Sequence, residues 1–273
     1  MTVIVSVKIN DGIVMAADSV SSYASGMTYQ HANKIVNLRK GLPIGAMVTG
    51  NGGIGSESIE TLLKDLRQRL EGRNSAHADW RLDPDKFTVE QVAKAVRTFL
   101  FEEKVIQANL TAFIRLRLCG YSAGRPLSEV WEVFIDGNKS EPPTQIQNEI
   151  AYGPLWDGEY EALNRIIFGT GTQFVASAAK HLNIPEKEAN ELHKKLLPDL
   201  YQHFVLPDMP IQDAIHLAKF MVETTIGLVK FATNRPHKTV GGPIEIAAIT
   251  KHEGFKWIQR KHFYPQDLNA MLP

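Results

Sequence analysis

Strand-like and helix-like stretches come in blocks along this chain, and that ordering restricts its fold more than any single motif does. Val3, Val5, Val7 and Ile9 alternate with Thr2, Ile4, Ser6 and Lys8, the two-residue period of a strand. Asp11-Gly12 offers a favourable hairpin turn, and residues 13–17 read as the returning strand. A second strand pair is expected over residues 34–38 and 43–49, around Arg39-Lys40-Gly41. Helices then follow. Ile59, Leu62, Leu63, Leu66 and Leu70 form an apolar stripe behind a candidate cap at Ser56, at the i, i+3, i+4 spacing of one helix face. Thr88-Val89-Glu90-Gln91 resembles a capping box and predicts a second helix through Val92, Val96 and Phe99 or Leu100.

Strands return over residues 113–118 and 130–135. Residues 73–87 read as a loop, and residues 141–164 as irregular after Pro142-Pro143. Ile166-Ile167-Phe168 reads as a short strand before Gly169-Thr170-Gly171-Thr172 and an alanine-rich helix over 174–181. A long helix is expected from Ile211, and residues 244–250 and 255–260 close the chain as a hairpin. Strands and helices grouped in this way argue against a doubly wound α/β fold, which alternates them one by one. They fit an α+β arrangement of two antiparallel sheets with helices on each outer face. No internal repeat or flexible linker interrupts the pattern, so residues 1–273 are read as a single domain.

Composition removes several function classes. Thirty Lys and Arg balance thirty Asp and Glu, so no basic stripe argues for nucleic acid and no charged tail for a charge-reading partner. No apolar run reaches the ~18 residues of a membrane span, and the start lacks a secretory signal pattern. A cytoplasmic protein is the expectation. Cys119 is the only cysteine, which excludes an internal disulfide; its place in an alternating strand reads as a buried, inert thiol. The nine histidines show no metal-ligand spacing, so neither metal nor organic cofactor is expected. Gly50-Asn51-Gly52-Gly53-Ile54-Gly55 satisfies G-x-G-x-x-G, but no βαβ unit or acidic strand end follows as a dinucleotide site requires.

Three polar residues stand out by position: Thr2 opens the first strand, Asp18 ends its hairpin partner, and Lys34 heads the next strand, at equal intervals of sixteen. With pairing centred on Asp11-Gly12, Asp18 falls about three strand positions from Thr2, on the order of 10 Å. Thr2-Val-Ile-Val-Ser-Val, Ala16-Ala17-Asp18, Asn33-Lys34-Ile35, Val48-Thr49-Gly50, Gly169-Thr170-Gly171 and the closing Gly241-Gly242-Pro243-Ile244 together resemble the proteasome β subunit and the bacterial HslV-type protease. The resemblance covers roughly two thirds of the chain in patches, with insertions near 73–87, 141–164 and 184–210.

The resemblance implies a four-layer αββα sandwich of the Ntn-hydrolase kind and a threonine endopeptidase. Thr2, made N-terminal by removal of Met1, would be the nucleophile, and its own α-amine the base. Lys34 would favour the neutral amine and the developing alkoxide, and Asp18 would orient Lys34. The Gly50 N–H would donate to the oxyanion, and Thr170 falls where the family has an assisting serine. Homo-oligomeric rings enclosing the sites, unfolded protein or peptide substrates and an ATP-dependent unfoldase partner are further implications. The family's Asp and Ser before the final Gly-Gly are replaced by Pro236-His237-Lys238-Thr239-Val240, which leaves Asn234 or Thr239 to buttress Thr2 from that side. Two rival readings share these residues: a catalytically silent structural subunit and a small-molecule Ntn amidohydrolase.

Overall fold

The computed structural model describes residues 2–23, 25–234 and 239–261. Its frame is two five-stranded antiparallel sheets, which makes the fold α+β. The first sheet runs β12 (Gly153–Gly158), β1 (Val3–Ile9), β2 (Gly12–Ala17), β13 (Glu245–Thr250), β14 (Gly254–Gln259). The second runs β11 (Thr144–Gln147), β10 (Glu129–Gly137), β9 (Ala112–Gly120), β6 (Ile44–Gly50), β5 (Ile35–Asn37). Two short hairpins stand apart, β3 (Ser21–Ser22) with β4 (Thr28–Tyr29), and β7 (Gly53–Ile54) with β8 (Glu57–Ser58).

Every residue of β1 and of β2 is buried, although a strand has two faces. The reason is that each face is covered by a different partner. Val3, Val5, Val7 and Ile9 join Leu163, Ile167, Ala218 and Val222 in a cluster formed with α3 (Glu161–Ile167) and α6 (Ile211–Phe231). Ile4, Ile13, Met15 and Ala17 instead meet Ile35, Met47, Cys119 and Val130 of the other sheet. That second sheet turns Ile44, Ala46, Leu116 and Leu118 towards α1 (Ile59–Leu70) and α2 (Val89–Arg97). Helices therefore cover each sheet on the side away from its neighbour. Each such fully buried Val, Leu or Ile contributes ~1.5–3 kcal/mol relative to exposure. A remaining pair, α4 (Phe174–Leu182) and α5 (Glu186–Leu200), is only lightly buried, Ala189 being its one fully covered residue.

The expected hairpins and helices are present, with local differences that have physical causes. The first turn is Asn10-Asp11, because Ile9 pairs with Gly12; pairing around Asp11-Gly12 does not occur. A Cβ on residue 12 would run into the Ile249 carbonyl of β13, so the glycine serves a strand position. Helix α1 is capped by Ser58, which accepts from the Thr61 N–H at 3.1 Å, and Ser56 is not the cap. The β7–β8 hairpin consumes two more residues before the helix can begin. Thr88 does cap α2, accepting from the Gln91 N–H at 3.0 Å, and a π-helical stretch, Thr98–Ile106, extends it.

Two further expectations fail. Residues 141–164 hold edge strands β11 and β12, since Leu155 packs between the sheets while Trp156 packs towards α3 and α6. Pro154, which disguised this alternation, is tolerated because β12 is an edge. Ile166-Ile167-Phe168 ends helix α3; Leu163 and Ile167 share one buried face, the i, i+4 relation of a helix. The stretch 73–87 contains a 3-10 turn, Ser75–Trp80, between the buried anchors Leu70, Leu82 and Phe87.

Candidate functional site

The observed hairpin register brings Asp18 directly beside the start of β1. With Ile4 opposite Ala17, Asp18 comes opposite Val3, and its amide donates to the Val3 carbonyl at 3.3 Å. The expected three-position offset from Thr2 shrinks to one. Asp18 is fully buried, and four donors converge on its carboxylate. Oδ1 accepts from the Val3 N–H at 2.9 Å and from Lys34 Nζ at 2.7 Å. Oδ2 accepts from the Val20 and Gly241 N–H groups, each at 3.1 Å. Charge-assisted bonds of this kind are the stronger class, and here they fasten β1, the turn after β2 and the Gly241 segment to one side chain.

Lys34 stands just before β5 and is itself buried, at 5% exposure. Besides Asp18 it donates to the Val20 carbonyl at 2.6 Å, so the ammonium is held by two acceptors. Burial lowers its proton affinity, and the Asp18 carboxylate opposes that effect. Thr2, Lys34 and Gly50 line one cavity of about 850 Å³, with Asn33, Glu57 and Glu60 also on its wall. Thr2 sits one residue before β1 and keeps the ladder going: its carbonyl accepts from the Glu159 N–H at 2.7 Å.

Gly50 closes β6 with φ at +100°, a region that strains any residue carrying a Cβ. The next amide, of Asn51, donates to the Phe113 carbonyl at 2.7 Å. Gly50 leads into the β7–β8 hairpin, which separates it from the start of α1.

Thr170 is not among the residues lining the cavity. Its hydroxyl lies 2.8 Å from His193 Nε2, and the His193 ring stacks on Phe174 with centroids 4.9 Å apart. Helix α5 thus supplies a partner for this hydroxyl. Nothing in the sequence marks His193 for that role. Asn234 is exposed, whereas Thr239 Oγ1 is buried without a hydrogen-bond partner among the described residues. Residues 236–238 lie outside the described residues. Cys119 is buried, and burial pushes its thiol up to about 12 against the pull of Arg117, which makes it a poor nucleophile.

Sequence reasoning missed a second buried ion pair, Lys261 with Glu245 at 2.8 Å, whose side chains are 4% and 1% exposed. A signal for Glu245 existed. Ile244, Ile246 and Ala248 face the helices while Ala247 and Ile249 face the other sheet. Period-2 alternation therefore puts an acid on the face between the sheets, where an unpaired carboxylate is costly. Among the described residues no group of three or more His, Cys, Asp or Glu side chains could hold a metal ion. None of their helices is long and apolar enough to cross a membrane. No family model and no curated protein matches the chain.

Proposed function

We propose that this chain is an N-terminal-threonine peptidase of the Ntn-hydrolase class, hydrolysing peptide bonds through an acyl ester on Thr2. The observation that carries the reading is the buried Asp18–Lys34 pair at 2.7 Å, with Lys34 facing the cavity that Thr2 and Gly50 also line. The packing order of helices, sheet, sheet and helices supports a four-layer αββα sandwich of that class.

The chemistry follows from the residues. Removal of Met1 makes the α-amine of Thr2 its own general base, titrating near ~8 and so partly neutral at cytoplasmic pH. That amine takes the Oγ proton as Oγ attacks the substrate carbonyl carbon. The Lys34 ammonium, fixed by Asp18 and the Val20 carbonyl, stabilises the alkoxide as it forms. The Gly50 N–H serves the oxyanion of the tetrahedral intermediate. Collapse of that intermediate breaks the C–N bond, and the leaving amine receives the proton from the α-ammonium. Water, deprotonated by the same amine, then hydrolyses the ester and regenerates Thr2. The substrates are unfolded chains or peptides that can extend through the cavity, and the enzyme works as a homo-oligomeric ring fed by an ATP-dependent unfoldase. Thr170, engaged by His193, has at most an indirect part.

The test is incubation of chain beginning at Thr2 with a peptidyl epoxyketone, which needs a hydroxyl and a free amine on one residue to form its ring adduct. Peptide mapping should find the adduct on Thr2, and Thr2→Ala should abolish it. A chain that starts at Thr2, is folded and acquires no adduct would sink the proposal.

A further inference from the structure

Lys261 lies just past β14, far in sequence from the site, yet its ammonium reaches the segment between Asp18 and Lys34. Nζ lies 2.8 Å from Glu245 Oε2 as an ion pair, and it donates to Ser19 Oγ at 2.8 Å and to the Ala32 carbonyl at 2.8 Å. Three oxygens thus surround the ammonium, the carboxylate as its counter-charge and the other two as hydrogen-bond acceptors. Two of them flank the excursion that leaves the sheet after Asp18 and returns at Lys34. Its ends are tied to each other by the Ala32 N–H on the Ser19 carbonyl at 2.8 Å. They are tied to the Gly241 carbonyl by the Ser19 and Val20 amides at 2.9 and 3.1 Å. The excursion supplies the Val20 carbonyl that holds Lys34, and Val20, Gln30 and Asn33 of it wall the cavity.

We infer that Lys261, paired with Glu245, is a positioning residue of the proposed active site, clamping the Ser19–Ala32 excursion and acting as a second ammonium on Lys34. This inference rests on the function proposed above. A pair that served folding alone would be better replaced by apolar side chains of similar volume, since desolvating two charges commonly outweighs their attraction. What an apolar pair cannot do is donate to a hydroxyl and a carbonyl on a catalytic turn, or place charge near Lys34.

The electrostatics has a definite sign. Lys34 faces Asp18 at the end of β2, Glu245 at the head of β13, and Lys261 itself. Lys261 faces Glu245, Asp18 and Glu60 at the start of α1. Burial lowers the proton affinity of both lysines, and the charge of Lys261 lowers that of Lys34 further. Glu245 opposes that effect of Lys261 on Lys34, so loss of Lys261 alone moves Lys34 up and loss of both charges moves it less.

The experiment uses the chain processed to Thr2 and compares wild type with Lys261→Met and with Lys261→Met/Glu245→Gln. The double variant strands no charge and so protects against a simple failure to fold; thermal unfolding reports on that. Epoxyketone inactivation at pH 7 should slow about 10- to 100-fold in both, as a small displacement of a catalytic group can. The titration of Lys34, followed by carbon-13 NMR of its ε-carbon and assigned with Lys34→Arg, should move to higher pH in Lys261→Met and by less in the double variant. Lys261→Arg, which keeps charge but not the three-way fit, should recover the titration more fully than the rate. A wild type that forms no adduct overturns the peptidase reading, and this inference with it. A wild type that reacts, beside a folded double variant with unchanged inactivation rate and unchanged Lys34 titration, overturns the role of Lys261 alone.

Discussion

Asp18→Asn isolates the interaction on which the site depends. The carboxylate it removes accepts four hydrogen bonds and faces a lysine at 2.7 Å, with both side chains buried. An asparagine offers one acceptor oxygen and turns two N–H donors towards groups that are themselves donors. Stranding the partner of a buried pair costs about 3–5 kcal/mol. Lys34 can limit the damage by losing its proton. From an ordinary value of about 10.4, that release costs about 4.6 kcal/mol at pH 7, at ~1.36 kcal/mol per unit. The two limits agree, so the variant should lose roughly 4 kcal/mol at pH 7. The pH dependence follows. In the variant the folded pKa of Lys34 lies below the unfolded one, so the unfolded chain binds more protons and stability rises with pH. At pH 9.5 the cost of neutral Lys34 is only about 1.2 kcal/mol, leaving mainly the lost hydrogen bonds. Urea unfolding at the two pH values measures both numbers. A deficit below ~1 kcal/mol at pH 7, or an equal deficit at pH 9.5, would refute a charged, buried Asp18–Lys34 pair.

Three further perturbations test other parts of the frame. Lys8 donates to the backbone carbonyls of Asn148, Glu149 and Ala151, and burial pushes its pKa down to about 8 against the pull of Glu149 and Glu129. The native state sheds that proton first, so stability should rise with pH from about 8 towards 10.5, and Lys8→Met should flatten the rise in urea titrations. Gly50→Ala forces a methyl onto the Phe113 carbonyl at φ +100° and should cost more than ~2 kcal/mol, read as a lowered thermal midpoint. Thr88→Ala removes the cap of α2 and should cost about 1 kcal/mol without altering the rate of adduct formation at Thr2.

The sequence alone determined the parts of this protein that are written in local chemistry. Val3 to Ile9 alternate, Leu62 to Leu70 recur at helical spacing, and Thr88 precedes a helix; each follows from the period of one element and needs no distant partner. The equal spacing of Thr2, Asp18 and Lys34 was legible for the same reason, since each stands at a strand boundary. What only the tertiary structure decided are relations between elements. The choice of Asn10-Asp11 as the turn fits the β13 strand packed against Gly12, and that register puts Asp18 opposite Val3, one position from Thr2. Strand β12 hid behind Pro154 because an edge position excuses a residue that an interior strand forbids. Lys261 reaches Ser19 across 242 positions of sequence, and His193 reaches Thr170 from helix α5. A buried charge is stable only where distant segments bring it partners, so its place is a property of the assembled fold and not of the residues around it.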